Sequence, residues 1–353
     1  MKIPLTSIVW FRNLASIAIF TSAISGCEDR RDRAVEISGQ TMGTTYHVKI
    51  VSDLIDSGTL KADIDEQLVQ LNQVFSTYIP DSELSQLNRG NGNIQVSKEL
   101  MRVLSLSREI HDLSSGAFDP TVGPLVNLWG FGPSGPRNGI PSTEEIDQTM
   151  ARTGFTRLAL QGSTIAKPRD LSIDLSAIAK GYAVDFVSDY LESMGVHRYL
   201  VEIGGEVRAS GRNDRHVPWV IGIEAPDMSV RRLLRTLPLH NISMATSGDY
   251  RNFFEHQGRV YSHTLNPKTG WPVTHNLTSV TVLHPSAGYA DGLATAFSVM
   301  GEAVTMELAE ANNLFVLAII RDQGAYKEVM STALARYLAD MTDPKPGAHQ
   351  EKP

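Results

Sequence analysis

The chain has 353 residues, of which 42% are apolar and 20% charged, and its formal charge is −7. That composition is globular and excludes an intrinsically disordered chain. The acidic balance, with no long basic block, argues against nucleic acid as a partner and is compatible with a divalent cation.

At the N-terminus, Lys2 and Arg12 flank the start of an apolar run, Leu14 to Ile24, too short to span a bilayer as a mature helix. The run ends in Ile24-Ser25-Gly26-Cys27, and Cys27 is the only cysteine. Small residues before a sole cysteine resemble a bacterial lipobox. Residues 1–26 are therefore expected to be a lipoprotein signal peptide, and Cys27 the lipidated first residue. Lipidation would consume the only thiol, so no disulfide can form. Residues 27–38 are expected to be a tether, 39–340 the folded domain and 341–353 a disordered tail.

From Tyr46 to Val51 apolar and polar residues alternate, as in a strand. Leu60, Ile64, Leu68, Leu71 and Phe75 share one helical face. Leu100, Leu104, Ile110 and Leu113 mark a helix that starts near Ser97 and ends before Gly116. Ser142 and Glu145 form a capping box for a third helix, which stops at Gly154. Three short strands are predicted between Thr156 and Leu175. A helix with Tyr182, Phe186, Tyr190 and Met194 inward runs to Gly195. Strands follow near Tyr199–Ile203, Val207–Ala209, Trp219–Ile223, Leu277–Leu283 and Leu314–Ile320. One helix is predicted from about Ala287 to Asn312. Many strands without a strict βα period predict an α+β fold, a single compact domain of mixed sheets with flanking helices.

Five segments bear on chemistry. Ser262-His263-Thr264-Leu265-Asn266-Pro267-Lys268-Thr269-Gly270 delivers a histidine to a turn initiated by Asn-Pro and closed by Thr-Gly. A histidine held there suits proton transfer, because imidazole titrates near neutrality. Gly39-Gln40-Thr41-Met42-Gly43-Thr44-Thr45-Tyr46 reads alone as a plain turn; as a functional loop it would let Met42 pack on a flat ring. Gly116 to Leu125 holds two prolines and two glycines, a rigid loop that reads as merely structural or, as a functional loop, would let Asp119 accept hydrogen bonds from a ligand. Asp174-Leu175-Ser176-Ala177-Ile178-Ala179-Lys180-Gly181 opens a helix with a lysine in its first turn, a natural phosphate site or simply a capped helix. Asp291 and Thr295, four apart on one helical face, read alone as an Asp near a helix N-terminus and a Thr facing the core; as a functional pair they suit a hard cation when a backbone carbonyl joins them. The sequence holds no Walker-type loop, GxGxxG, HExxH or GxSxG.

Eight stretches in order resemble the ApbE family of bacterial FAD:protein FMN transferases: GQTMGTTY, FSTYIPDSELSQLN, GAFDPTVGPLVNLWGFG, DLSAIAKGYAVD, VEIGGEVRASG, SMATSGDYRNFF, YSHTLNPKTG and DGLATAF. The resemblance runs from Gly39 to about Leu338. One departure is Asn266, where the family usually carries Asp before Pro.

The resemblance implies a transferase. FAD would bind with Mg²⁺, its pyrophosphate would be split, AMP would leave, and FMN would be joined by a phosphoester to a Thr or Ser of an acceptor protein. It places Met42, Tyr78, Ala117, Phe118, Asp119, Asp174 and Lys180 on FAD, with Thr264 or Leu265 nearby. Asp291, Thr295 and the Ala177 carbonyl would hold Mg²⁺, and His263 would be the general base. Acceptors would carry a motif like Asp-x-x-Ser/Thr-Gly-Ala-Ser/Thr and belong to membrane electron-transfer systems. The enzyme would sit on the periplasmic side of a bacterial membrane, held by its lipid, the inner membrane being favoured. The other readings are an FAD pyrophosphatase that uses water as acceptor, and a non-catalytic FAD-binding lipoprotein.

Overall fold

The computed structural model describes residues 32–52, 56–137, 139–226, 232–248, 253–256 and 259–342. The signal peptide, Cys27 and most of the expected tail lie outside these residues.

Alternation around Gly39 builds a hairpin of β1 (Ala34–Thr41) and β2 (Thr44–Val51). Strand structure begins at Ala34, inside the stretch expected to be tether, because Val35 and Ile37 alternate onto the core. Helix α1 (Ser57–Phe75) buries Leu60, Ile64, Leu68, Leu71 and Phe75 and is capped by the Asp56 side chain. Next come α2 (Glu83–Arg89), β3 (Gly92–Gln95) and α3 (Lys98–Leu113), the last capped by Ser97. Two short helices, α4 (Gly123–Leu128) and α5 (Thr143–Met150), follow the rigid loop. The Ser142–Glu145 capping box opens α5, and its last helical residue is Met150, four short of Gly154.

Strands β4 (Ala159–Gln161) and β5 (Thr164–Lys167) join β3 in a three-stranded sheet. A third strand before Leu175 does not form. There the Asn88 amide takes both the Ile173 carbonyl and the Ile173 N–H, each at 2.8 Å, and substitutes for a ladder partner.

Helix α6 (Ala179–Ser193) turns inward a face that matches the expected one only in part. Tyr182 is buried, but Phe186 and Tyr190 are half-buried and Met194 is exposed. Ala183, Val184, Val187 and Leu191 complete the core face with Tyr182, and Gly181 lets a neighbouring helix pack close, as described below.

The remaining elements are β6 (Tyr199–Ile203), β7 (Glu206–Ser210), β8 (Trp219–Glu224), β9 (Leu233–Leu239), β10 (Ile242–Gly248), β11 (Phe253–His256), β12 (Arg259–Ser262) and β13 (Leu277–His284). They are followed by α7 (Ala287–Met300), α8 (Glu302–Ala311), β14 (Phe315–Asp322), β15 (Ala325–Met330) and α9 (Thr332–Thr342). The single helix expected from Ala287 to Asn312 is thus two. Gly301 breaks it with φ +78, a conformation that L side chains rarely adopt.

An antiparallel eight-stranded sheet runs in the order β1-β2-β6-β7-β10-β13-β14-β15. The main core joins it to residues of α1, α3, α6 and α7. A second core joins it to the β8–β9 pair and to Leu334 of α9. A third, smaller cluster of Leu125, Trp129, Ile146 and Leu265 ties α4 and α5 to the histidine turn. The result is an α+β domain. Among the described residues no helix is long and apolar enough to cross a membrane.

Candidate active site

A cleft of about 1010 Å³ opens between the β6–β7–β10 strands, β8, the 117–131 segment, the start of α6, α7 and the histidine turn. It brings together Tyr78, Ala117, Phe118, Asp119, Asp174, Ala177, Lys180, His263, Thr264, Leu265, Asp291 and Thr295. Only Met42, of the expected site residues in the described region, stands outside the lining. Its side chain packs against the main core from the β1–β2 turn. The next residue but one, Thr44, touches the cleft wall: a Cβ on Gly204 would lie 2.8 Å from Thr44 Cγ2.

The floor is built by two helices that nearly interpenetrate. A Cβ on Gly181 would collide with the Ala287 carbonyl and lie 2.7 Å from Asp291 Cβ. Glycine therefore lets the first turn of α6 press on α7. The Gly181 N–H donates to Asp291 Oδ2 at 3.0 Å. Asp185, one turn on, accepts from Ser286 Oγ and from the Ala287 and Gly288 N–H groups, which seats the N-terminus of α7.

Lys180 is not a lone cation. Its Nζ meets Glu206 Oε1 at 2.6 Å, and Glu206 is only 3% exposed. Burial pushes the Glu206 carboxyl up, to about 8, with the nearby Asp291 adding to the shift and Lys180 opposing it. Burial likewise raises Asp291, against Lys180 and the Gly181 N–H. Burial opposes the Lys180 charge, yet the Asp291 and Glu206 carboxylates outweigh it and its pKa rises. Two carboxylates and one ammonium leave a floor short of positive charge.

Glu206 was missed in the sequence. It stood in plain view within VEIGGEVRASG, but nothing local ties it to Lys180, 26 residues away. Gly204-Gly205 closes the β6–β7 hairpin and makes the meeting possible. A Cβ on Gly204 would lie 3.1 Å from Lys180 Cδ.

Asp119 lines the cleft and also fixes the loop that carries it. Its Oδ1 accepts from the Thr121 N–H and hydroxyl at 2.7 and 2.6 Å, and its Oδ2 from the Phe155 N–H at 3.1 Å. The carboxylate thus pins the rigid loop to residues 154–155, while Ala117 and buried Phe118 face the cleft. Asp174 accepts from the Ser176 N–H at 2.8 Å, and its own N–H donates to the Pro120 carbonyl at 2.7 Å. Tyr78, 72% exposed, stands at the rim.

The histidine turn is anchored from outside. Trp129 Nε1 donates to the Gly270 carbonyl at 2.8 Å, and the Trp129 ring packs edge-on to Trp271 at 5.4 Å. Asn266 Oδ1 accepts from the Lys268 N–H at 2.9 Å, as an aspartate there would. Asn266 lies outside the cleft lining, so the departure from the family pattern stays within the turn. His263 faces the cleft with the Phe131 ring edge-on at 6.3 Å.

Asp291, Thr295 and Ala177 all line this cleft, and the oxygens they could offer are a carboxylate, a hydroxyl and a backbone carbonyl. An all-oxygen set with one charge suits Mg²⁺, which keeps several of its waters. Among the described residues no cluster of three or more histidine, cysteine or carboxylate side chains could form a different metal centre. The buried negative excess around Asp291 and Glu206 is the feature that a cation would offset.

Comparison with known sequences bears on the same residues. The sequence profile of the ApbE family matches residues 42–319. The chain belongs to the ApbE family. It is 43% identical over 335 residues to the FAD:protein FMN transferase of Vibrio cholerae, spanning 94% of this chain and 99% of that protein. The solved structure of the Vibrio cholerae flavin transferase ApbE superposes with a TM-score of 0.80 at 42% identity, over 86% of this chain and 99% of the other. The apo flavinyl transferase ApbE of Pseudomonas stutzeri gives 0.81 at 38% identity, over 87% and 97%. The ApbE match spans both helices of the floor, the 117–131 segment and the histidine turn.

Proposed function

We propose that this chain is an FAD:protein FMN transferase, moving FMN from FAD to a Thr or Ser hydroxyl of an acceptor protein. The observation that carries the reading is the shared cleft. One cavity of about 1010 Å³ has a half-buried lysine, paired with Glu206, together with Asp291 and Thr295 on its floor, and a histidine on its wall. Membership of a family whose curated relatives bear this name supports it.

Ala117, Phe118 and Tyr78 would flank the flavin end, and Lys180 would sit against the diphosphate. Asp291, Thr295 and the Ala177 carbonyl would hold Mg²⁺, which when bound supplies charge neutralisation at the diphosphate. His263 takes the proton of the acceptor hydroxyl as its oxygen forms a bond to the FMN phosphorus. The bridging P–O bond breaks and AMP leaves with the electron pair. Lys180, fixed by Glu206, stays aligned with the developing charge without reorganising. Water in place of the hydroxyl would give FMN and AMP instead.

The test is mass spectrometry of an acceptor peptide carrying Asp-x-x-Thr-Gly-Ala-Thr after incubation with FAD and Mg²⁺. The expected result is one added FMN on the last threonine and one AMP released per label. Free FMN with an unlabelled peptide would replace transfer by hydrolysis.

The anchoring rests on Ile24-Ser25-Gly26-Cys27 alone. With its lipid on Cys27 the enzyme would face the periplasm from the inner membrane and meet membrane-bound electron-transfer acceptors there. Cys27→Ser is expected to move the protein from the membrane fraction to the soluble one. Retention in the membrane fraction would remove the lipid anchor from this account.

A further inference from the structure

The proposed metal ligands Asp291 and Thr295 stand on α7, one and two turns beyond Ala287. The third, the Ala177 carbonyl, belongs to the segment before α6. The set is split between two elements, so its geometry depends on the register of α7 against α6. A slip of one residue moves a helical side chain about 1.5 Å along the axis and about 100° around it. Mg²⁺ requires near-octahedral oxygens at about 2.0–2.1 Å, and such a slip would dismantle the set.

Two contacts fix that register, one turn apart on α6. The first is the Gly181 N–H to Asp291 Oδ2 at 3.0 Å, which draws on a carboxylate that the cation would also use. The second uses no ligand. Asp185 Oδ1 accepts from the Ala287 N–H at 2.8 Å, and its Oδ2 from the Gly288 N–H at 2.9 Å and Ser286 Oγ at 2.7 Å. With both oxygens engaged by three successive residues, the carboxylate cannot turn without breaking a bond. Capping alone does not account for it, because α7 has its own cap: Ser286 Oγ accepts from the Tyr289 N–H at 3.1 Å.

Asp185 is itself held from the sheet. Arg208 Nη1 lies 3.3 Å from Asp185 Oδ1 and 3.2 Å from Asp189 Oδ1, and its Nη2 lies 3.0 Å from Glu192 Oε1. Glu206 and Arg208, two apart on β7, point to one face of the strand. Glu206 holds Lys180 and Arg208 holds Asp185, so β7 grips α6 at two points and α6 sets α7.

We propose that Asp185 is the positioning residue of the metal site, locking α7 on α6 so that Asp291 and Thr295 meet the cation together with the Ala177 carbonyl. This rests on the reading of those three residues as Mg²⁺ ligands. Asp185 does not line the cleft, and it acts through α7.

Asp185→Asn tests this. Asparagine has the same size but turns an amide N–H toward donors that need an acceptor. The readout is the Kd for Mn²⁺, a hard cation that takes the same oxygen ligands, followed by electron paramagnetic resonance on the FAD-loaded full chain without acceptor. That Kd is expected to rise at least about tenfold, while the Kd for FAD without metal stays within about twofold of wild type. Asp189→Asn takes a charge from Arg208 without touching the α7 clamp, and is expected to leave both within about twofold. Unchanged Mn²⁺ affinity in folded Asp185→Asn overturns the proposal. Equal weakening of Mn²⁺ and FAD overturns it too, by giving Asp185 a general structural role. Should Asp185→Asn fail to fold, Ser286→Ala removes one of the three bonds and is expected to weaken Mn²⁺ binding about threefold with FAD unaffected. No weakening there overturns the proposal. A wild type that takes up no Mn²⁺ overturns the metal-site reading and this role with it, whereas uptake that Asp185→Asn leaves untouched overturns the positioning role alone.

Discussion

His263→Ala is expected to lower the rate of FMN transfer by about 100- to 10,000-fold, the usual contribution of a positioned general base. FAD binding should stay within about threefold of wild type, because the proposed contacts at Lys180, Ala117 and Phe118 are untouched. The fold is also expected to survive. Trp129, Gly270 and Asn266 hold the turn through backbone groups and their own side chains, without the imidazole. Stopped time courses of peptide labelling, with a fluorescence titration of FAD, separate the two effects. Transfer within a few-fold of wild type would show that another group, or solvent, takes the hydroxyl proton.

Asp291→Asn is the sharper test of the floor. Asparagine keeps an oxygen for the Gly181 N–H, so the α6–α7 contact is retained while the charge is lost. The Mg²⁺ concentration for half-maximal transfer is expected to rise at least about tenfold, since one anionic oxygen is the only charged group in the proposed ligand set. Transfer at low Mg²⁺ falls with it. Lys180 remains paired with Glu206 and is not expected to compensate. A metal titration that overlays wild type would strike Asp291 from the ligands.

Local signals were legible wherever a residue's role is set by its near neighbours. The α1 stripe and the Ser142–Glu145 capping box are periodicity and capping, which act over a few residues. The histidine turn is Asn-Pro chemistry. Readings failed where distant packing decides. The inward face of α6 is mostly aliphatic, with Tyr182 the one buried aromatic, and α7 lies against its Gly181. The segment before Leu175 stays out of a sheet because the Asn88 side chain, 85 residues away, takes its backbone.

The sequence by itself determined the α+β class, the family, and which residue types gather at the cleft, because ordered motifs and short-range periodicity are written along the chain. Only the tertiary structure shows that Lys180 is paired with buried Glu206 and that Asp291 sits beside them. Those facts depend on where two helices press together and where the β6–β7 hairpin turns. Both are settled by packing between residues far apart in sequence, which no local pattern encodes.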